Sequence, residues 1–327
     1  MVAMRRTLLR IITAIQLTRL TMAFGAVSDI WFVILLTKYD ESHALYNYLP
    51  VHDMNLAAAL LAGATVALGL FAYGASLNDV LDVRHDSAFS PDRPIPAGRI
   101  RVGQAIVVTV SALLVAMLGG VALGKEAMGV TLLTATAILF YNAAGKYVPA
   151  VGIVVVGLIH AAHMLIPNPQ LEFTLPAVLV MTHAMVIAGV VHHLEQKRPR
   201  LRWRAIAMIC FGWACWATVL LWAGARQGRG IWPAEAGLLE AFYPVAAIIG
   251  FTVVAWWKVT GVRGAAAAEK LKRYGAMWQA LYGAAWLMAF DLHEQALWIG
   301  GFALAGFAAM TLIKEITGLS DRPVAYR

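Results

Sequence analysis

NDVLDVRHDSAFSPDRPIPAGRI, residues 78–100, begins where a long apolar run stops. Asn78 and Asp79 open it, and Asp82 and Asp86 follow at spacings of three and four. If the preceding helix continues through them, those spacings put the three carboxylates on one face. Like charges stacked on a face repel, and a sequence tolerates them where a cation sits between. Oxygen donors of this kind suit Mg²⁺. The prolines from Pro91 onward stop the helix and stiffen a loop. Arg93 and Arg99 add donors matched to phosphate oxygens. A solvated polar turn is the plain alternative for a lone DxxD. Here the charge lies at the mouth of an apolar helix, where it is costly and usually functional.

The rest of the chain explains that mouth. Of 327 residues, 61% are hydrophobic and only 13% charged, and the mean hydropathy is +0.70. Soluble domains carry about 25% charged residues, so the composition is that of a polytopic membrane protein. No polar linker or low-complexity stretch divides it, and residues 1–327 read as a single domain. Arg5, Arg6 and Arg10 precede an apolar run with no evident small-residue cleavage site, so a full span is expected there, not a cleavable signal. Cys210 and Cys215 lie in one apolar run without metal spacing and read as small buried hydrophobes.

A spanning helix needs about 20 apolar residues. Candidate spans fall near 12–37, 54–77, 102–123, 127–143, 148–166, 174–193, 204–225, 237–257, 274–290 and 295–313. The ninth is short enough to be re-entrant, which leaves nine or ten. With the N-terminus in the cytoplasm, the inside segments hold 21 Lys and Arg and the outside segments hold Lys38, Lys125, Arg226 and Arg229. That asymmetry follows the positive-inside rule and puts the aspartate loop on the cytoplasmic side. It also accounts for the net charge of +8 without nucleic acid, which is excluded as a partner. Tyr39, Tyr46, Tyr48 and Trp232 in the outside loops fit an interfacial belt.

Other polar residues gather at the same cytoplasmic end. Arg19 lies near that end of the first span, where it either snorkels to headgroups or meets an anion. Tyr141, Asn142 and Lys146 close the fourth span, and Lys146 is a topology anchor or a point-charge phosphate ligand. The sixth span ends in His192, His193, Glu195, Lys197 and Arg198. His192 and His193 point about 100° apart on a helix, so at most one faces a site shared with Glu195. The basic run 197–204 reads as an anionic-lipid and topology feature. His160, His163 and His183 read as satisfied interior histidines. Asp29 needs a partner across the bundle or neutralisation. The tryptophans from Trp203 onward read as packing and interface anchors. Gly300, Gly301, Ala303, Ala305 and Gly306 permit close helix approach.

Asn78-Asp79-x-x-Asp82-x-x-x-Asp86, followed by Pro91-x-Arg93-Pro94-x-x-x-Gly98, resembles the first aspartate-rich motif of the UbiA superfamily of intramembrane prenyltransferases. The resemblance implies an all-α membrane bundle, usually of nine spans, around a central cavity that opens laterally to lipid. It implies an enzyme of a bacterial or archaeal plasma membrane with its active-site loops facing the cytoplasm. A polyprenyl diphosphate would bind through Mg²⁺, ionise, and alkylate a lipophilic or aromatic acceptor. Asp79, Asp82, Asp86 and Asn78 would hold the metal. Arg19, Arg93, Lys146, Tyr141, His192, His193 and Lys197 would line the substrate. Glu195 would serve as a second-site ligand or base. The family's second motif is usually DxxxD-like, whereas HHLEQKRPR offers Glu195 alone, so a second metal and the acceptor do not carry over. A terpene cyclase or a polyprenyl-phosphate phosphoribosyl-type transferase is the alternative. A non-catalytic lipid-binding or transport protein is the third reading.

Overall fold

The computed structural model describes residues 13–39, 49–226, 231–232, 236–237 and 239–318. Arg5, Arg6, Arg10, Tyr46, Tyr48, Arg229, Arg322 and Arg327 of the charge and aromatic reading lie outside them. Every regular element among the described residues is a helix, with no strand. Ten helices have sixteen or more residues. They are α1 (Phe24–Tyr39), α2 (Leu56–Leu81), α4 (Val102–Leu123), α5 (Lys125–Ala143), α6 (Pro149–Met164), α7 (Leu175–Leu194), α8 (Trp203–Gly224), α9 (Phe242–Val259), α10 (Gly264–Ala289) and α11 (His293–Gly318). A short helix, α3 (Val83–Phe89), follows α2 directly. Among the described residues, six helices, α2, α4, α7, α8, α9 and α11, are long and apolar enough to cross a membrane by themselves. The chain is a multi-pass membrane protein.

The centre is built on α1 and α10. Twelve of the sixteen residues of α1 are buried, on every side of the helix. A helix apolar all round has no solvent face and belongs inside a bundle. It packs against α2, α6, α10 and α11, while α10 also meets α7 and α9. The α2–α4 pair is the most extensive helix contact, and glycines set its distance. A Cβ on Gly69 would stand 2.6 Å from the Ala116 nitrogen, and one on Gly119 would stand 2.8 Å from the Ala62 carbonyl oxygen. Small residues of this kind replace the hydrophobic driving force that lipid cannot supply. Gly306 acts likewise against Phe24, whereas Gly301 faces open space.

Three expectations change. The first span is not one continuous helix. Residues 13–18 are helical, Arg19 takes a left-handed conformation with φ 51°, and a 3-10 turn at Leu20–Met22 leads into α1. That backbone costs about 1–2 kcal/mol for a residue with a Cβ. The ninth span is not short: α10 begins at Gly264 and runs 26 residues. Its first turns carry charge because they are paired, Glu269 with Lys314 at 2.5 Å and Arg273 with the Thr311 hydroxyl at 2.9 Å. Cys210 and Cys215 are exposed. They sit on α8, which buries only Ala217 and Gly224. A helix at the bundle's edge presents the same apolar residues to lipid that another presents to a core.

Candidate functional site

The aspartates do not ride on one uninterrupted helix. α2 ends at Leu81, Asp82 is its C-cap, and α3 starts at Val83. Each carboxylate meets a cation from elsewhere in the chain. Arg19 donates from Nη2 to Asp79 Oδ1 at 2.9 Å. Arg93 Nη1 lies 2.6 Å from Asp86 Oδ2 and 3.4 Å from Asp79 Oδ1, so one guanidinium ties both. Lys146 Nζ donates to Asp82 Oδ1 at 2.6 Å and to Asn78 Oδ1 at 3.2 Å. Asp79 and Asp86 are nearly closed off, with side chains 4% exposed. Asp82 and Lys146 keep 16% and 14%.

Local structure explains these placements. The left-handed turn at Arg19 lets its side chain reach α2. The loop after α3 folds back on itself through Arg93 N to Ser90 O and Ala97 N to Arg93 O. Ile95 pins that loop against Leu17 and Ala105, and Arg99 reaches Gln16 Oε1 at 3.2 Å. Lys146 lies in the 3-10 turn Gly145–Tyr147 between α5 and α6. Gly152 of α6 lets that turn approach, since a Cβ there would stand 2.9 Å from the Gly145 carbonyl oxygen.

A second charged group stands beside the first. Glu195, the C-cap of α7, accepts from Lys272 at 2.7 Å and pairs with Lys197 at 2.9 Å. Burial pushes its carboxyl upward, but the two lysines outweigh this and hold it below the usual carboxylate range. Tyr141 lies within electrostatic reach of both Asp82 and Glu195, and Lys272 within reach of Arg19. The two groups therefore form one charged end of the bundle.

His192 and Glu195 are not brought into a common site. His192 Nε2 meets the Pro199 carbonyl oxygen at 2.9 Å and so holds the following loop. His193 is exposed. Among the described residues, no three His, Cys, Asp or Glu side chains converge as a metal cage. Lys272 was missed by sequence reasoning, because in a run with Lys270 and Arg273 it reads only as topology.

Deeper in the bundle, Asp29 finds its partner in Gln279 of α10, whose amide also meets His160 Nδ1 at 3.0 Å. His183 is satisfied by the Gly275 carbonyl oxygen at 3.1 Å and the Tyr282 hydroxyl at 3.2 Å. His163 departs from the expectation of a satisfied interior histidine: its buried Nε2 has no partner among the described residues.

No family model matches the chain. Over 108 residues it is 32% identical to the digeranylgeranylglyceryl phosphate synthase of Sulfurisphaera tokodaii, covering 33% of this chain and 37% of that protein. Over 88 residues it is 32% identical to the synthase of the same name from Saccharolobus solfataricus, covering 27% and 31%. The matched stretches thus span about a third of these relatives' length. Among solved structures, a UbiA homologue from Archaeoglobus fulgidus bound to GPP and Mg²⁺ aligns over 92% of this chain and 98% of that one, at 12% identity and a TM-score of 0.43. An apo UbiA homologue from Aeropyrum pernix K1 aligns over 90% and 98%, at 14% identity and 0.46. The all-helical membrane bundle and the sequence similarity to these synthases, over about a third of their length, agree with the resemblance to the UbiA superfamily carried by residues 78–98.

Proposed function

We propose that the protein transfers a prenyl group from a polyprenyl diphosphate to a lipophilic acceptor within the membrane, with Mg²⁺ at Asn78, Asp79, Asp82 and Asp86. The observation that supports this reading is the pairing of those four residues with Arg19, Arg93 and Lys146 at one end of an apolar bundle. All four donors offer oxygen, the chemistry a hard divalent cation prefers. A carboxylate has about four lone-pair positions, so an ion pair through one oxygen leaves room for a metal. Bound there, Mg²⁺ would offset the negative charge that grows on the departing diphosphate.

The chain's own residues do the rest. Arg19, Arg93 and Lys146 neutralise the carboxylates in the absence of substrate. With a diphosphate in place, the same cations are positioned to turn to its oxygens and stabilise charge where it develops. The allylic carbon loses its C–O bond to the diphosphate, the acceptor's electron pair forms the new bond, and the acceptor's proton passes to the departing diphosphate. The apolar bundle takes the isoprenoid tail and keeps out water that would quench the cation. Glu195 is held ionised by Lys197 and Lys272, and the pair of lysines extends the positive end toward the diphosphate. The active end faces the cytoplasm by the charge asymmetry of the loops. By analogy with the named synthases, a lipid acceptor carrying a glyceryl phosphate is the first to test.

Binding tests this reading without turnover. The carboxylates are already occupied by cations, so Mg²⁺ alone should bind weakly, and geranylgeranyl diphosphate alone should bind weakly. Each should tighten the other by the same factor, as linkage requires. A factor of ten or more is expected for the wild type and none for Asp82→Ala. Diphosphate binding that is indifferent to Mg²⁺ would contradict it.

A further inference from the structure

The segment Lys197-Arg198-Pro199-Arg200-Leu201-Arg202-Trp203-Arg204 joins α7 to α8. It is not helical until Trp203, and Arg202 has extended backbone with φ −86° and ψ 165°. Leu201 packs inward against the cluster around Ile153 and Met181. All four arginines are exposed, and none forms an ion pair among the described residues. Four unpaired guanidinium groups within seven residues repel one another, and topology alone does not require arginine over lysine.

The arginines line two adjoining clefts. One, of about 490 Å³, lies between Pro149 at the start of α6 and Arg198, Arg200, Arg202 and Arg204. The other, of about 350 Å³, is lined by His193, Lys197, Arg200 and Leu201. Arg200 lines both clefts of this basic groove. His192 holds the segment through the Pro199 carbonyl oxygen. The groove then runs directly onto α8, whose outer face is bare: Trp203, Ile206 and Phe211 are 73%, 50% and 72% exposed. Arg204 sits over the Trp203 ring at 5.5 Å, an arrangement suited to a membrane interface.

We infer that this groove is a binding site for the phosphate headgroup of a bilayer lipid, with the lipid's chains lying along α8. Forked guanidinium donors match phosphate oxygens in a way that lysine does not. The adjoining apolar helix selects a lipid over a free anion, because only a lipid fills both surfaces. None of the four arginines forms an ion pair with the aspartate cluster among the described residues; Lys197, which lines the second cleft, pairs with Glu195.

The test is native mass spectrometry of the full chain in detergent, titrated with phosphatidylglycerol and with diacylglycerol of the same chains. The wild type should retain phosphatidylglycerol at least tenfold better. Arg200→Glu with Arg202→Glu should abolish that preference, and Arg200→Lys with Arg202→Lys should weaken it. Arg202 makes no side-chain cap to α8, so the helix does not need it. If the glutamate pair fails to fold, Arg200→Gln with Arg202→Gln takes its place. Equal retention of both lipids by the wild type would overturn the inference. So would an unchanged preference in a folded variant, or displacement of the lipid by equimolar inorganic phosphate.

Discussion

Lys146 Nζ lies 2.6 Å from Asp82 Oδ1, across 64 residues of chain. The pair ties the turn between α5 and α6 to the kink between α2 and α3. Lys146→Met leaves a mostly enclosed carboxylate without its cation. Because both groups keep some exposure, the expected loss of stability is about 1–2 kcal/mol, between surface and buried pairs. Thermal unfolding reads that loss. Under the prenyl-transfer proposal, affinity for geranylgeranyl diphosphate falls tenfold or more in the same variant.

Glu195 gives a pH dependence with a definite sign. Its carboxyl is held below the usual carboxylate range, with Lys272 and Lys197 overcoming the opposite effect of burial. A group whose folded pKa is depressed stabilises the fold above its unfolded pKa and loses that contribution as pH falls through the folded value. Wild-type stability should therefore decline as pH drops below about 4.5. Glu195→Gln should be less stable at pH 7 and should decline less steeply below that point. Parallel unfolding curves at pH 7, 5 and 4 check this, and equal slopes would contradict it.

Gly69 faces Ala116 where α2 and α4 touch. Gly69→Leu must push the helices apart, an overpacking cost of typically about 1–3 kcal/mol and occasionally more. Gly103→Ala, which meets nothing within 4 Å, is the control and should leave the melting temperature unchanged or raised.

Gln279 bridges Asp29 and His160 within the bundle. Gln279→Leu strands a buried carboxylate and should cost about 1–3 kcal/mol, whereas removing both partners with apolar residues should cost less. A double-mutant cycle of Gln279→Leu with Asp29→Leu measures the coupling. Additive effects would show that the bridge contributes nothing.

The helical class and the start of the site were legible because both are local signals. Apolar run lengths gave ten candidate spans, and ten long helices stand there among the described residues. Asn78, Asp79, Asp82 and Asp86 formed one stretch with Arg93. What was not legible depends on contacts across the bundle. No proline or glycine marks the break at Arg19, and nothing local shows that its side chain reaches α2. Lys272 sits in a basic run that topology already explained. The ninth span looked short because its charged first turns are solvated by partners 38 to 77 residues away. Cys210 and Cys215 read as buried and are exposed, since lipid and core ask for the same residues.

The most direct measurement is release of diphosphate from geranylgeranyl diphosphate by the purified protein in lipid, with Mg²⁺ or EDTA, beside Asp82→Ala. Phosphate-bearing glycerol lipids and quinone precursors serve as acceptors. The account predicts release that requires Mg²⁺ and falls at least a hundredfold in the variant, together with a prenylated lipid product. Equal release by a folded Asp82→Ala protein would contradict it. So would no release with any acceptor by wild-type protein that retains its helical fold.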